Sequence, residues 1–179
     1  MDEAQQTQFY WAERSLEALK PGDLLNAVVI WRRLCRGSVM PEWKADVLLE
    51  IPFTLTPLTN VIDTGDGAPP FVYRYFGTAL ADIHAFELTG KTTDTIAPQS
   101  FKEVCVRQHL VTIQRKQPCV FLNEIPSRAG VTYTHTMVRL PFSRDGTNVT
   151  QIMTVEEHAE EAEEIKNIVS NGSPGNLIR

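Results

Sequence analysis

The sequence predicts an α+β fold in which a five-stranded antiparallel sheet carries helices on one face. Two strand signals precede a long helical segment, and three more follow it in close succession within residues 119–155. The last two are joined through Asp145 and Gly146, a pair typical of tight hairpins. Strands joined by short turns form an antiparallel meander, and the helices of such a fold cover the sheet. The 179 residues are enough for one domain with a sizeable core.

The composition is that of an ordinary globular protein, with 42% hydrophobic and 22% charged residues. No apolar run approaches the roughly 20 residues that span a bilayer. The first residues, MDEAQQTQ, have neither the basic region nor the apolar core of a secretion signal. We therefore expect a cytoplasmic protein without a membrane partner.

The net charge of −5 is concentrated at the C-terminus, where residues 156–179 contain six acidic and two basic side chains. The rest of the chain is close to neutral. A neutral body with an acidic end lacks the basic surface that nucleic acids require, so we expect no nucleic-acid partner. The acidic segment forms either a C-terminal helix or a solvated tail.

Residues 5–19 are predicted to form an exposed helix that carries the aromatic cluster Phe9, Tyr10 and Trp11. Such a cluster needs a surface that covers it. That surface belongs either to the domain itself or to a second copy of the chain, and the second case predicts a homodimer.

The best-signalled helix runs over residues 24–36, where apolar side chains recur at helical spacing. Asp23 can cap its first turn, and Gly37 ends it. Its apolar positions are Leu24, Ala27, Val28, Trp31 and Leu34. The irregular connector that follows contains Trp43, which we expect to anchor it on the domain.

Two early strands are predicted within residues 53–63 and 71–76. Pro57 interrupts the first, whose later half we therefore place at an edge or a bulge. Gly77 is predicted to close the second strand, and Thr78 to cap a short helix after it.

Alternation along the second strand places Phe71, Tyr73 and Tyr75 on one face. Arg74 lies on the other side. It points either inward, where it needs a carboxylate partner, or outward as a surface residue with a buried stem.

The second long helix is predicted at residues 99–116, between Pro98 and Gln117. One broad side of it is apolar, and His109 lies in the middle of that side. The side comprises Phe101, Cys105, Val106, Leu110, Thr112 and Ile113.

The central strand of the meander, residues 131–142, has two different faces. One carries Thr132, Thr134, Thr136 and Val138, and the other carries Tyr133, His135, Met137 and Arg139. Tyrosine, histidine and arginine on one face can hold an organic acid through a charge-assisted pair. The alternative is a polar sheet face that is open to solvent.

Six short motifs occur in a recognisable order and spacing over roughly residues 24–155. They are Trp31-Arg32, Met40-Pro41, residues 73–78, residues 88–91, Gln117-Pro118 and residues 140–146. In this order they resemble a PAS domain, and more narrowly the short stand-alone bacterial proteins of the PAS_5 family. The acidic end after Val155 departs from the resemblance.

The resemblance implies a sensory or ligand-binding signalling module without enzymatic activity, which works as a homodimer or with a signalling protein. It implies a small pocket between the sheet and the long helix. The chain then divides into an N-terminal helical extension (1–23), a PAS-like domain (24–155) and an acidic helix or tail (156–179).

The residues that this pocket brings together on the sheet and the long helix are candidates for ligand binding. They are Tyr73, Tyr75, Cys105, His109, Phe121, Tyr133, His135, Met137 and Arg139. PAS-like domains bind haem, flavin, small acids or nothing, so the cofactor stays unknown.

His109 occupies the place where haem-binding PAS relatives carry their iron ligand. The alternative is a core histidine bonded to a backbone carbonyl. Flavin photochemistry in PAS relatives needs a cysteine in an Asn-Cys-Arg-Phe context, which neither Cys105 nor Cys119 has. We expect no metal site, since the histidines are far apart in sequence and no C-x-x-C pair occurs.

The sequence contains none of the G-x-S-x-G, P-loop, H-E-x-x-H or G-x-G-x-x-G motifs, so an enzyme is not predicted. Two alternatives to the ligand sensor stay open. One is an interaction module with a filled core, and the other is a small α+β enzyme that uses an acid and a histidine such as Asp82 and His84.

Overall fold

The computed structural model describes residues 9–126 and 132–157. The helices are α1 (Asp23–Cys35), α2 (Val47–Glu50), α3 (Thr78–His84) and α4 (Gln99–Arg115). The strands are β1 (Tyr10–Arg14), β2 (Thr59–Asp63), β3 (Val72–Phe76), β4 (Cys119–Pro126), β5 (Thr132–Phe142) and β6 (Gln151–Glu157). Single 3₁₀ turns lie at Leu16–Ala18, Thr56–Leu58 and Thr93–Thr95.

The strands form one sheet in the order β1-β4-β5-β6-β2-β3, and all neighbours are antiparallel. The predicted α+β class is confirmed, with the five predicted strands and the C-terminal meander in place. In the last hairpin, Asp145 Oδ1 accepts bonds from the backbone N–H groups of Thr147 and Asn148, both at 2.8 Å.

β1 is a sixth strand, and the prediction of a helix there was wrong. Tyr10–Arg14 pair with β4, so part of the supposed helical extension at 1–23 belongs to the sheet. Trp11 packs edge-on against Phe121, with ring centroids 5.5 Å apart. Pairing along an open sheet edge outweighs the helical preference of the segment itself.

The aromatic cluster is mostly covered by its own domain. Phe9 packs against Phe101 with ring centroids 5.2 Å apart, and Trp11 is covered as described above. Tyr10, whose side chain points the other way along the strand, is 51% exposed.

Both faces of the central strands are buried, which corrects the prediction that the helices cover only one. Along β5, Arg139 faces α4 whereas Val138 and Leu140 point the opposite way, and all are buried. The apolar stripe of α1 lies on that second face, where Trp31 Nε1 donates to the Pro141 carbonyl at 2.7 Å.

α4 buries a polar stripe in addition to apolar residues. Gln108, His109 and Thr112 are fully buried, whereas Leu110, predicted on the covered side, is 37% exposed. The helix takes this orientation because its polar side chains find hydrogen-bond partners on the sheet.

β2 lies inside the sheet between β6 and β3, not at an edge. Pro57 precedes the strand in the 3₁₀ turn Thr56–Leu58, where it removes no ladder bond. The expectation of an edge or a bulge at Pro57 was therefore wrong. The register does shift opposite Val61 and Ile62, but the extra residue there is Arg74 of β3.

The bulge decides which side chains of β3 share a face. Tyr73 is paired with Ile62 and Tyr75 with Val61, so the two tyrosines lie on opposite faces. The predicted common face of Tyr73 and Tyr75 was therefore wrong. Arg74 takes the outward orientation, and its Nε donates to Asp63 Oδ1 at 2.9 Å.

Gly77, not Thr78, occupies the N-cap position of α3. Its N–H donates to the Thr59 carbonyl at 2.8 Å. A Cβ at this position would overlap the carbonyl of Pro57. Because φ of Gly77 is −65°, the close approach of two backbone segments is what requires glycine here.

The two sheet edges differ. β3 is bordered by the segment that follows α3, since Tyr73 N donates to Lys91 O at 2.9 Å and Thr93 N donates to Phe71 O at 2.8 Å. β1 pairs with β4 alone.

Parts of two predicted segments lie outside the described ranges, namely residues 5–8 of the N-terminal helix and residues 158–179 of the acidic helix or tail. The limits 24–155 of the PAS-like domain stay a prediction. β6 extends to Glu157, so Glu156 and Glu157 belong to the sheet and not to an acidic helix or tail. Within the described ranges, no helix is long and apolar enough to cross a membrane.

Candidate ligand-binding site

A small cavity lies between α3, α4 and one face of the sheet. Thr154 of β6 is paired with Asn60 on β2 and with Arg139 on β5, so the three side chains form a row on that face. Asn60 and Arg139 line the cavity floor on either side of Thr154. The cavity volume is about 20 Å³, enough for a single water molecule.

Aromatic rings form the roof of the cavity. The ring of His84, at the end of α3, lies 5.5 Å from that of Phe86 and 5.4 Å from that of Phe101. Phe86 and Phe101 are only partly buried, so the roof is also the boundary with solvent. Ala85, with φ of 58°, separates α3 from Phe86.

Arg139 is fully buried, and three protein groups hold its guanidinium. Nη1 donates to Thr154 Oγ1 at 2.8 Å and to Nε2 of His109. Nη2 donates to Gln108 Oε1 at 2.9 Å. Burial lowers the pKa of Arg139, but an arginine stays protonated at neutral pH.

His109 is the neutral partner of Arg139. Its Nε2 must carry a lone pair, because a guanidinium only donates. Burial lowers the pKa of His109 well below its ordinary 6.5, the charge of Arg139 lowers it further, and the backbone of Cys105 acts in the opposite direction. The ring also packs edge-on against Phe71, with centroids 5.7 Å apart.

A directed chain of hydrogen bonds leads from Arg139 to β4 and β5. Because Arg139 occupies Gln108 Oε1, the amide nitrogen of Gln108 faces Asn123 and donates to its Oδ1 at 2.6 Å. The amide nitrogen of Asn123 then lies 3.2 Å from His135 Nε2, which accepts. Each amide orientation follows from the donor-only character of the guanidinium.

Glu156 adds a carboxyl group to the same face, two residues beyond Thr154 on β6, and it is 5% exposed. Its Oε1 accepts from Asn60 Nδ2 at 3.4 Å, and its Oε2 lies 3.7 Å from His135 Nε2. While burial lowers the pKa of Arg139, Glu156 is among the groups that raise it. One wall of the cavity is therefore positive and another negative.

Two buried atoms of the lining residues lack a hydrogen-bond partner within the described part of the chain, Arg139 Nε and Asn60 Oδ1. The carboxylate of Glu156 only accepts, so it fixes the nitrogen of the Asn60 amide toward itself and leaves Oδ1 on the other side. The cavity thus offers one donor and one acceptor. Each unsatisfied buried atom costs about 1–3 kcal/mol.

Tyr73 and Cys105 line the cavity in their neutral forms. Burial raises the pKa of the Cys105 thiol to about 12 and also raises the pKa of Tyr73. A thiol that stays protonated at neutral pH is a poor nucleophile, so the site offers no activated cysteine.

Five of the nine predicted pocket residues line the cavity: Tyr73, Cys105, His135, Met137 and Arg139. Their role in binding a ligand stays a prediction. Tyr133 belongs to β5, but its side chain lies outside the described part of the structure.

Three predicted pocket residues lie elsewhere. Tyr75 is on the opposite face of β3, where its hydroxyl donates to Thr56 O at 3.0 Å. Phe121 packs under Trp11 of β1. His109 lies behind Arg139 and does not line the cavity.

Eight lining residues were not among the predicted pocket residues: Asn60, Phe76, His84, Phe86, Leu88, Ile96, Phe101 and Glu156. Asn60 lies two positions before the apolar Ile62 in β2. This spacing was the signal that could have assigned it to the inner face of the sheet. Phe76 faces inward only because of the bulge. Glu156 was assigned to the acidic end, and His84 was considered only as a catalytic candidate.

The residues present do not fit the haem hypothesis. His109 uses Nε2 to accept from Arg139, and the cavity of about 20 Å³ is far smaller than a porphyrin. Among the described residues, no three His, Cys, Asp or Glu side chains are grouped in a way that could hold a metal ion.

The pair proposed for a small enzyme is not brought together. Asp82 is exposed and His84 is buried, because positions two apart lie on different sides of a helix. No observation at α3 supports that alternative.

A larger groove of about 910 Å³ lies outside the interior site. Phe9 and Trp11 of the N-terminal segment, Pro69 and Pro70, and the outer side of α4 line it. It is open to solvent and contains none of the buried polar residues described above.

No protein-family model and no curated protein match the sequence. Among solved structures, the VqmA dimer of Vibrio cholerae is 14% identical, with 57% of this chain and 46% of that chain covered and a TM-score of 0.43. An RNA-binding Light-Oxygen-Voltage receptor is 10% identical, with 92% and 42% covered and a TM-score of 0.43. The dark structure of the photoreceptor Aureochrome1 LOV is 12% identical, with 73% and 93% covered and a TM-score of 0.43.

The chain spans less than half the length of the first two of these chains. The α+β class is confirmed by the antiparallel sheet and its helices, and the PAS type stays a prediction of the sequence. Membership of the PAS_5 family, the homodimer and the absence of a nucleic-acid partner stay predictions.

Proposed function

We propose that this chain is a non-enzymatic sensory module of PAS type that binds a small molecule in the cavity between α4 and the sheet. The proposal is carried by two unsatisfied polar atoms, Arg139 Nε and Asn60 Oδ1, on the wall of a closely packed interior. A bound polar molecule recovers the free energy that these atoms lose by burial. Apolar side chains of similar volume would be at least as stable there, so stability alone does not account for the charged groups.

The roof of the cavity moves when the ligand binds. A ligand larger than water has to displace His84, Phe86 or Phe101, since the enclosed volume is about 20 Å³. α3 has only seven residues and packs mainly on the turn before β2, so moving it costs less than moving a sheet strand. Its displacement changes the surface that a signalling protein or a second copy of the chain would contact.

A second candidate function is an interaction module that binds no ligand. It is favoured by the contrast between the nearly filled interior and the open groove of about 910 Å³ beside Phe9 and Trp11. In that case the buried charges only fix the packing of α4 on the sheet, and a partner protein occupies the groove.

The test is native mass spectrometry of the gently purified chain, with its absorbance spectrum and mass analysis of the small molecules released on denaturation. The sensor predicts a retained small mass, or hydrogen-exchange protection of residues 78–88 when a metabolite extract is added. An unliganded chain whose exchange in 78–88 is unchanged by the extract contradicts the sensor and favours the interaction module.

A further inference from the structure

If the chain binds a small molecule in the cavity, as proposed above, the groups on the cavity wall specify the chemical class of that molecule. The floor presents one free donor, Arg139 Nε, and one free acceptor, Asn60 Oδ1. The two residues lie in one row across three adjacent strands, separated by Thr154. Both residues line the same cavity, so one small molecule bound there can contact both.

The charges on the wall disfavour an ion of either sign. Arg139 faces the cavity from β5, and Glu156 faces it from β6. An anion would gain from Arg139 and be repelled by Glu156, and the reverse holds for a cation. In an interior of low dielectric, an ion of either sign therefore loses to one wall charge part of what it gains from the other.

The guanidinium has five N–H donors, and three of them have protein acceptors. Nη1 donates to Thr154 and His109, and Nη2 donates once to Gln108. Nε–H and the second N–H of Nη2 are left, and they can hold a carbonyl oxygen. The charge of Glu156, and not the orientation of the guanidinium, therefore disfavours the organic acid expected from the sequence.

The shape of the cavity favours a flat molecule. The floor is one face of the sheet, to which Phe76 belongs, and the roof consists of the rings of His84, Phe86 and Phe101. A planar group between them keeps contact on both sides.

From these observations we infer that the ligand is a small, planar, neutral molecule of the amide, lactam or urea class. Its carbonyl oxygen accepts from Arg139 Nε, and its N–H group donates to Asn60 Oδ1 on the side away from Glu156. Binding satisfies both unpaired atoms without bringing net charge into the interior.

The experiment uses two series of probes that share a skeleton and differ only in the polar group. One is acetamide, acetate, acetamidinium and acetone, and the other is benzamide, benzoate, benzamidinium and acetophenone. The full chain is titrated with each, and amide and methyl resonances around the cavity are followed by NMR. We expect the amide of at least one series to bind at least tenfold more tightly than the three analogues of that series.

The outcomes separate the inference from the proposed function. Binding of the carboxylate, the amidinium or the ketone as tightly as the amide overturns the ligand class but leaves a small-molecule sensor. If no probe of either series shifts the cavity resonances, the ligand class is overturned, and the experiment with the metabolite extract decides whether the sensor is overturned as well.

Asn60→Leu tests the acceptor directly. It removes Oδ1 at similar volume, so the tenfold preference for the amide over the ketone should fall to about onefold while the ketone binds as before. The control is Gln151→Leu, which removes a buried amide that bonds to Asp63 outside the cavity and should keep the preference. Retention of the preference in Asn60→Leu contradicts the inference, and the panel on the unaltered chain decides the matter if either variant fails to fold.

Discussion

Arg139 is the residue on which the buried polar contacts of this protein converge. It bonds to side chains from α4 and β6, and every one of its partners is buried. The other arginine that we considered for an inward position, Arg74, pairs with Asp63 at 2.9 Å on the surface of β3 and is half exposed. The two residues therefore form a natural comparison of a buried and an exposed guanidinium.

Arg139→Met should lower the free energy of unfolding by about 3 kcal/mol or more, because it leaves Gln108, His109 and Thr154 without a partner in the interior. Urea denaturation of the variant and the unaltered chain measures the difference. The control Arg74→Met removes an exposed ion pair and should cost less than about 1 kcal/mol. Equal costs for the two variants would show that the buried network contributes nothing beyond a surface pair.

His109 gives the protein a pH dependence of stability with a defined sign. The unfolded chain takes up a proton at this residue below the ordinary pKa of 6.5, whereas the folded chain keeps it neutral. Stability is therefore complete above about pH 6.5 and falls as the pH drops below it. From pH 7 to pH 5, His109 should account for about 2 kcal/mol of lost stability.

His109→Gln keeps an acceptor for Arg139 but does not titrate, so it isolates this effect from other ionisable groups. Unfolding free energies at pH 7 and pH 5 are measured for both proteins. The variant should lose about 2 kcal/mol less than the unaltered chain over this interval. Parallel losses in the two proteins would mean that His109 is protonated in the folded state.

At the scale of elements, the sequence predicted those whose signal is local. α1 and α4 have apolar spacing and clear ends, and the last hairpin has its Asp-Gly turn, so all three lie where expected. β1 was missed because its pairing with β4 joins segments more than a hundred residues apart, and no local pattern reports such a contact.

The candidate site was predicted in part for the same reason. Alternation along β5 correctly grouped His135, Met137 and Arg139 on one face. The bulge at Arg74 in β3 reversed the expected positions of Tyr75 and Phe76, because one extra residue in a strand exchanges the two faces. Glu156 was missed because a run of glutamates on a strand end looks the same as the start of an acidic tail.

Gly77 sets the junction between β3 and α3. Gly77→Ala should lower the free energy of unfolding by about 2 kcal/mol or more, because its Cβ would overlap the carbonyl of Pro57. The control Gly22→Ala lies at the start of α1, where the nearest atom is 3.9 Å away, and should cost less than about 1 kcal/mol. Thermal and urea unfolding compare the two variants, and similar values for both would contradict the steric argument.

At the scale of the whole molecule, the sheet is held unevenly. β5 and β6 each pair with two neighbours and are buried on both faces, whereas β1 pairs with one neighbour and has an exposed Tyr10. The other edge strand, β3, gains additional bonds from residues 90–93. Strands with fewer partners open more readily than the strands they border.

Hydrogen exchange should therefore show the bonded amides of Tyr10–Arg14 exchanging at least about tenfold faster than those at the centre of β5, with β3 in between. The measurement is NMR-detected or mass-spectrometric exchange of the native chain near neutral pH. Exchange of β1 at the rate of β5 would show instead that all strands open together in one global unfolding event.

The smallness of the cavity has a consequence for how sensitively the protein could respond to its ligand. A molecule larger than water binds only the fraction of chains whose roof is open, so the apparent dissociation constant is the intrinsic one divided by that fraction. Each 1.4 kcal/mol needed for opening weakens the apparent affinity about tenfold. The same free energy of opening sets how strongly the ligand shifts the population of the open form. A higher free energy of opening therefore weakens the apparent affinity but increases the change that ligand binding produces at the surface.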